Sequence, residues 1–168
     1  MASVNPEQHA QYQQEAGEFL TVMDEMAPQI GLDYSVDSLQ RLDNFISEHF
    51  DPPNAKQVNA ALTLRVGCYL GEVIIRHLGG YWNEDGKPEI NELGSIEAIF
   101  PIERAQQRFV NGKQDSLSWY YHSLVKKIYE AESSDRQYAT TASSVRGSGY
   151  AGSDDGGVIG FLISLFKK

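Results

Sequence analysis

The chain has 168 residues, 41% of them hydrophobic, and carries 23 Asp and Glu against 14 Lys and Arg, a formal net charge of −9. This acidity argues against non-specific nucleic-acid binding, which needs basic patches that neutralise phosphates. The single cysteine, Cys68, cannot form an internal disulfide, and neither a secretory signal nor a stretch of about 20 apolar residues is present. We therefore expect a cytoplasmic protein.

Two amphipathic helices are predicted in the first third of the chain. Asn5 is a residue type that caps helices and Pro6 suits the first helical position, so the first helix should begin there. Ser35 should cap the second helix. Residues 51–53, Asp-Pro-Pro, should end it, because proline cannot continue a helix.

The third helix is predicted to be the buried centre of the fold. It should begin at an Asn54 cap and run to about Leu78, where Gly79 supplies the left-handed residue that commonly ends a helix. Its apolar residues cover nearly all sides, which is typical of a central helix. The same helix holds Glu72 and Arg76, which the sequence pattern marks as the only buried charges.

A small antiparallel sheet of three strands is predicted after this helix. Residues 81–83 form the first strand, and residues 84–87 contain Asp-Gly, a common hairpin turn pair. The return strand covers residues 88–91, with Pro88 at a strand start or on an edge strand, and the third strand covers residues 95–100.

Two further helices are predicted before the composition changes. Pro101 can open a fourth helix that ends at Asn111 and Gly112, and either Asp115 or Ser116 caps a fifth. These elements predict an α+β fold of about five helices around a three-stranded antiparallel sheet.

The C-terminal part of the chain is predicted to be a tethered tail. After a globular domain over residues 1–132, residues 133–157 are rich in Ser, Thr, Gly and Asp, which predicts a flexible linker. Residues 158–168 are apolar again and are predicted as a short helix. Phe161, Leu162, Leu165 and Phe166 would form one stripe on that helix.

The apolar stripe of the tail needs a partner, because so short a helix is marginally stable alone. Three partners compete: a groove of its own domain, a groove of another protein, and an anionic membrane surface. The two lysines that follow the stripe bind a membrane weakly, so a protein groove is favoured.

The charged pair of the third helix is the candidate site. Glu72 and Arg76 are spaced i, i+4 and therefore face each other. The two charges of a buried pair must neutralise each other, because the loss of one partner leaves the other charge buried without compensation. One interpretation is therefore a structural pair that fixes the helix to its neighbours. The alternative is a ligand pocket or active site around Glu72, Arg76 and Trp82.

Glycines and aromatic residues leave similar alternatives. Gly67 and Gly71, one turn apart, indicate either close packing of another backbone or a notch for a ligand. Five aromatic residues could pack in the core or form a recognition surface: Tyr81, Trp82, Trp119, Tyr120 and Tyr121.

Sequence motifs for catalysis, metal binding and phosphate binding are missing. The chain has no His-Glu-x-x-His pattern and no glycine loop in a strand-to-helix context. Cys68 lies among apolar residues, where thiols are inert. We therefore predict no catalytic residue, no metal and no cofactor.

Several short blocks occur in order along the chain. Residues 38–46 read Ser-Leu-x-x-Leu-Asp-x-x-Ile, residues 67–74 read Gly-x-Tyr-x-Gly-Glu-Val-Ile, residues 79–82 read Gly-Gly-x-Trp, and residues 111–117 read Asn-Gly-x-x-Asp-Ser-Leu. In these blocks the chain resembles an uncharacterised bacterial family, a domain of unknown function. The resemblance implies a bacterial cytoplasmic protein and brings no catalytic residues. Some small bacterial proteins of this general build are immunity or accessory proteins of toxin systems.

These observations predict a non-catalytic bacterial protein-binding module, immunity-like or an adaptor, whose partner is another protein. Acidic charge, aromatic clustering, a tethered apolar tail and the missing catalytic constellation motivate this prediction. Two alternatives stay open. One is a small-ligand binder or enzyme with its pocket around Glu72, Arg76 and Trp82, and the other is a peripheral membrane protein anchored by residues 158–168.

Overall fold

A computed structural model of the chain describes residues 6–51, 58–84, 88–94 and 96–144. The chain divides into two compact units, residues 1–134 and residues 135–168. Eight main elements follow one another: α1 (Pro6–Met26), α2 (Val36–His49), α3 (Ala60–Leu78), β1 (Tyr81–Glu84), β2 (Pro88–Leu93), β3 (Ile96–Ile99), α4 (Pro101–Asn111) and α5 (Leu117–Ser144). Five helices and a three-stranded antiparallel sheet in the described residues confirm the predicted α+β fold.

The first two helices begin where the sequence predicts. Pro6 is the first residue of α1, and its predicted cap, Asn5, lies outside the described residues. Ser35 caps α2, because its side chain accepts a hydrogen bond from the Ser38 backbone N–H at 3.2 Å.

The central helix α3 begins later than predicted. Its cap is Asn59, whose Oδ1 accepts from the Leu62 N–H at 2.8 Å, and the predicted cap Asn54 lies outside the described residues. Two asparagines precede the helix and either has a suitable side chain, so residue type alone did not identify the cap. The helix ends at Leu78, as predicted, and every residue from 66 to 74 is buried.

The sheet has the strand order β1-β2-β3, with both pairs antiparallel. Trp82 lies opposite Ile90, and Ile90 lies opposite Ile99. Pro88 is the first residue of the central strand, so it occupies a strand start and not an edge strand.

The last two helices differ in how well their ends were predicted. Pro101 opens α4 as expected, and Ser116 caps α5 by accepting from the Trp119 N–H at 3.1 Å. Helix α5 continues to Ser144, which corrects the predicted start of the linker at residue 133. The physical reason is that residues 133–144 contain neither Gly nor Pro, and the first glycine after them is Gly147.

Neighbouring groups occupy the space beside the two glycines of α3. A Cβ built on Gly67 would lie 2.5 Å from the Ile102 Cα of α4, and one built on Gly71 would overlap the Trp82 ring. These close approaches support the packing interpretation of both glycines. Within the part of the chain that the structure describes, no helix is long and apolar enough to cross a membrane.

Candidate functional site

The Glu72 carboxylate is enclosed between α1, α3 and β1. Its side chain is 1% exposed, and Trp82 Nε1 donates a hydrogen bond to Glu72 Oε1 at 3.1 Å. Gln13 Nε2 lies 3.5 Å from the other oxygen, and the Tyr12 ring packs on Trp82 with centroids 4.7 Å apart. An indole N–H is thus the closest donor to this buried carboxylate, and the carboxylate is out of reach of solvent.

Arg76 is only loosely bound to Glu72. Its Nε lies 3.7 Å from Glu72 Oε2, beyond hydrogen-bond distance, and its side chain is 44% exposed. The guanidinium instead lies over the Tyr34 ring, 3.6 Å from the ring centre, which is cation–π geometry. The predicted self-satisfied pair is therefore replaced by two separate contacts, Glu72 with Trp82 and Arg76 with Tyr34.

Tyr34 is itself fixed by several bonds to α3. It has a positive φ of 60°, rare for a residue other than glycine. Its N–H donates to the Tyr69 hydroxyl at 3.0 Å, and His77 Nε2 lies 3.0 Å from its carbonyl oxygen. Burial raises the pKa of both tyrosines. These bonds hold the turn before α2 against the central helix.

A second charged cluster, which the sequence analysis missed, is buried at the junction of α2, α4 and α5. Arg108 is fully buried and its Nε donates to Asp43 Oδ1 at 2.9 Å. Its Nη1 donates to Asp51 at 2.9 Å, and its Nη2 donates to the Asp43 carbonyl at 3.0 Å and to Ser47 Oγ at 2.6 Å. The buried charge is thereby neutralised and hydrogen-bonded, as burial requires.

Asp43 also caps the N-terminus of α5 from another helix. Its carboxylate accepts from the Leu117 N–H at 3.1 Å, the Ser118 N–H at 2.9 Å and the Ser116 hydroxyl at 2.7 Å. Negative charge at a helix N-terminus is favourable, because the first N–H groups of a helix lack partners within it. This junction, and not the Glu72 and Arg76 pair, is the charged centre in which both ions are buried.

The sequence did contain a signal for this junction. Asp43 lies four residues after Leu39 and three before Ile46, so it falls on the apolar stripe of α2. Arg108 lies three residues after Ala105 and directly before Phe109, both buried on α4. A charge on an apolar stripe indicates a buried partner elsewhere.

The sequence blocks that carry the family resemblance are joined to one another by hydrogen bonds. Ser38 of the first block shares a hydrogen bond of 2.6 Å with the Tyr69 hydroxyl of the second. Glu72 of the second block accepts from Trp82 of the third, and Asp43 of the first accepts from Ser116 of the last. Each block thus contributes a polar group that forms a hydrogen bond with another block. Stabilisation of the fold therefore explains why these polar residue types occur in the blocks.

The Cys68 thiol is unreactive in this setting. Burial raises the pKa of the Cys68 thiol to about 12, so little thiolate forms near neutral pH. In the described residues, no three His, Cys, Asp or Glu side chains are grouped so that they could hold a metal ion.

The aromatic residues divide between core and surface. Trp82 and Tyr121 are buried, and Tyr81 and Tyr120 are half-buried. Trp119 is 63% exposed. Trp82 and Tyr121 therefore support the core-packing interpretation. Tyr81 and Tyr120 are only partly covered, and Trp119 presents its ring to solvent.

Two of the concave regions formed by the described residues border α4, and both lie away from Glu72. The larger, the α3–α4 groove, has a volume of about 650 Å³, and the smaller, the β3–α4–α5 cavity, has about 260 Å³. Apolar side chains of the groove come from both helices and from the residue two positions before α3: Val58, Ala60, Leu64, Ile102, Phe109 and Val110. Neither region is lined by Glu72, Arg76 or Trp82.

The predicted partner-binding residues of the tail, Phe161, Leu162, Leu165 and Phe166, lie outside the described residues.

Comparison of the chain with protein-family models, with curated proteins and with solved structures found no match. The resemblance to a bacterial family therefore stays a prediction.

Proposed function

We propose that this protein is a non-catalytic protein-binding module of the bacterial cytoplasm, an adaptor or immunity-like protein, that binds a partner helix in its α3–α4 groove. The observation that supports this proposal is the groove itself, with six apolar side chains around a volume of about 650 Å³. Val110 at its rim is 69% exposed. Apolar side chains in a concave surface gain free energy when a partner removes them from water.

The partner chemistry follows from shape and charge. A groove between two helices fits an amphipathic helix that places its apolar face downwards. The chain has a net charge of −9, so a helix with a basic outer face is attracted by the charge of the whole protein. The proposed occupant is therefore a basic amphipathic helix of another protein.

The alternative of a pocket around Glu72, Arg76 and Trp82 has less support. A ligand needs access, and the Glu72 side chain is 1% exposed with its carboxylate beneath the Trp82 indole. The membrane alternative depends on residues 158–168, outside the described residues, and stays a prediction.

The test titrates the full-length chain with a synthetic helical peptide of about four turns, with leucines on one face and lysines on the other. A scrambled peptide of the same composition is the control. We expect the amphipathic peptide alone to bind and to shift the backbone amide NMR signals of Leu64 and Val110, which line the groove.

A pair of matched variants locates the binding. Val110→Asn should weaken peptide binding about tenfold, because it removes a contact worth about 1.5 kcal/mol. Val22→Asn is the same change at an exposed valine of α1, outside the groove, and should leave binding unchanged. Equal binding of the scrambled peptide, or equal weakening by both variants, would contradict the proposal.

A further inference from the structure

The β3–α4–α5 cavity combines an apolar wall with positive charge. Its apolar lining includes Ile96 and Ala98 of β3 and Leu124 of α5. Arg104 of α4 and Lys127 of α5 line the same space. Its volume of about 260 Å³ lies slightly below the usual range for pockets of drug-sized ligands, so only a small group fits.

Arg104 is held rigidly at one end and on one face. Its Nη1 forms an ion pair with Asp115 Oδ1 at 2.8 Å and donates to Gln107 Oε1 at 3.1 Å. The centre of its guanidinium lies 4.7 Å from the Tyr120 ring centre, and the side chain is 13% exposed. A guanidinium fixed in this way is preorganised, so a ligand does not have to order it.

One edge of this guanidinium lacks an acceptor. Arg104 Nε is buried and donates to no group among the described residues, and the contacts of Arg104 there use Nη1 and the ring face alone. Nε and Nη2 share the edge whose donor spacing matches the two oxygens of a carboxylate. Buried donors are normally satisfied, so this edge is available to an acceptor that a ligand supplies.

Lys127 adds a second positive group to the cavity. In the described part of the chain no carboxylate forms an ion pair with it, whereas its neighbour Lys126 lies 3.7 Å from Glu130. Glu103 also lines the cavity, but it is engaged in a contact of its own. The charge of Arg104 is balanced by Asp115, which leaves Lys127 to attract an anion.

We propose that the β3–α4–α5 cavity binds a small carboxylate with a hydrocarbon part. The carboxylate pairs with the Nε and Nη2 edge of Arg104 and with Lys127, and the hydrocarbon part packs on Ile96, Ala98 and Leu124. The same chemistry is offered by a free branched-chain acid and by the C-terminal leucine of a peptide. This site is separate from the α3–α4 groove and does not depend on the function proposed for that groove.

The test is an NMR titration of the full-length chain with three probes. 4-Methylpentanoate represents the free acid, N-acetylleucine represents a peptide C-terminus, and 4-methylpentanamide is the uncharged isostere. We expect saturable shifts of the Ile96 and Leu124 amides with at least one carboxylate, and binding of the amide about tenfold weaker or more. The carboxylate with the lower Kd identifies the source. Equal binding of acid and amide, or no saturable shift with either acid, would overturn the proposal.

Adjacent lysines provide matched variants. Lys127→Gln should raise the Kd of the carboxylate about fivefold, because it removes one of the two cationic contacts. Lys126→Gln should leave the Kd unchanged, since Lys126 is 73% exposed and does not line the cavity. Arg104→Lys keeps the charge but loses the two-donor edge, and it should abolish saturable binding in a protein whose thermal unfolding shows that it is folded. A Kd raised equally by both glutamine variants, or left unchanged in Arg104→Lys, would refute the assignment.

Discussion

The two charged clusters of this protein differ in how completely they are buried. Arg108 and Asp43 have side chains 0% and 5% exposed, and their atoms meet at 2.9 Å. In the other cluster, Glu72 is 1% exposed but Arg76 is 44% exposed, and the atoms are 3.7 Å apart. When both ions of a pair are buried, the protein must supply hydrogen bonds to each of them, because each ion has lost its water. When only one ion is buried, only that ion needs a hydrogen-bond partner from the protein.

This difference assigns different structural roles to the clusters. Arg108 forms hydrogen bonds with Asp43 and Ser47 of α2 and with Asp51, which lies two residues after the end of α2, so it joins α4 to this part of the chain. Asp43 also caps α5. Glu72 is bonded mainly by the neutral Trp82 indole, which joins α3 to β1. The first cluster therefore depends on charge, and the second depends on a hydrogen bond.

The largest effect is expected from Arg108→Met. The change leaves Asp43 buried without its cation, so the free energy of unfolding should fall by about 3–5 kcal/mol, measured by urea unfolding. Asp43→Asn combined with Arg108→Met should cost less than the two single changes added together, because the pair is coupled. As a control, Arg65→Met removes partly exposed ion pairs and should cost at most about 1 kcal/mol. Equal losses in Arg108→Met and Arg65→Met would show that the junction does not depend on its buried charge.

A smaller effect is expected where Trp82 packs on the central helix. Gly71→Ala places a methyl group against the Trp82 ring and should cost about 1–3 kcal/mol through overpacking. The displaced ring would also lengthen its hydrogen bond to Glu72. Gly17→Ala on α1 is the matched control, because no atom lies within 4 Å of its new Cβ, and it should gain about 0.5–1 kcal/mol from helix propensity. Thermal unfolding of the two variants should therefore move in opposite directions, and a shift in the same direction would contradict the close packing.

Local signals in the sequence predicted most of the fold. Ser35 and Pro101 start their helices, and Pro88 starts its strand, because cap chemistry and a fixed φ act within a few residues. The predicted start of α3 was wrong, because two asparagines precede the helix and residue type does not distinguish between them. The length of α5 was underestimated, because composition was used where the lack of Gly and Pro was the better guide.

The charged clusters show what a single sequence does not determine. Glu72 and Arg76 were paired because they lie one turn apart, whereas Asp43 and Arg108 are 65 residues apart in the chain. Spacing on one helix reveals neighbours on that helix, and it carries no information about which residues another helix brings. The stripe positions of Asp43 and Arg108 could have indicated that each is buried, but not that they meet.

The smallest effects are expected from glutamine substitutions in the Glu72 cluster, and they separate charge from hydrogen bonding there. Arg76→Gln should cost at most about 1 kcal/mol, because a half-exposed ion pair and a surface cation–π contact are each weak. Glu72→Gln removes the buried charge but keeps an oxygen that accepts from Trp82, so it should change the free energy of unfolding by no more than about 1 kcal/mol. Both are measured by urea unfolding.

Glu72→Leu completes this series, because it removes the acceptor as well as the charge and leaves the buried indole N–H unbonded. It should cost about 1–3 kcal/mol, more than either glutamine variant. If Arg76→Gln proved as damaging as Arg108→Met, Glu72 would depend on its distant cation after all, and the contrast between the two clusters would fail. A larger loss in Glu72→Leu than in Glu72→Gln would instead identify the Trp82 hydrogen bond as the reason for a carboxyl-bearing residue in the middle of the central helix.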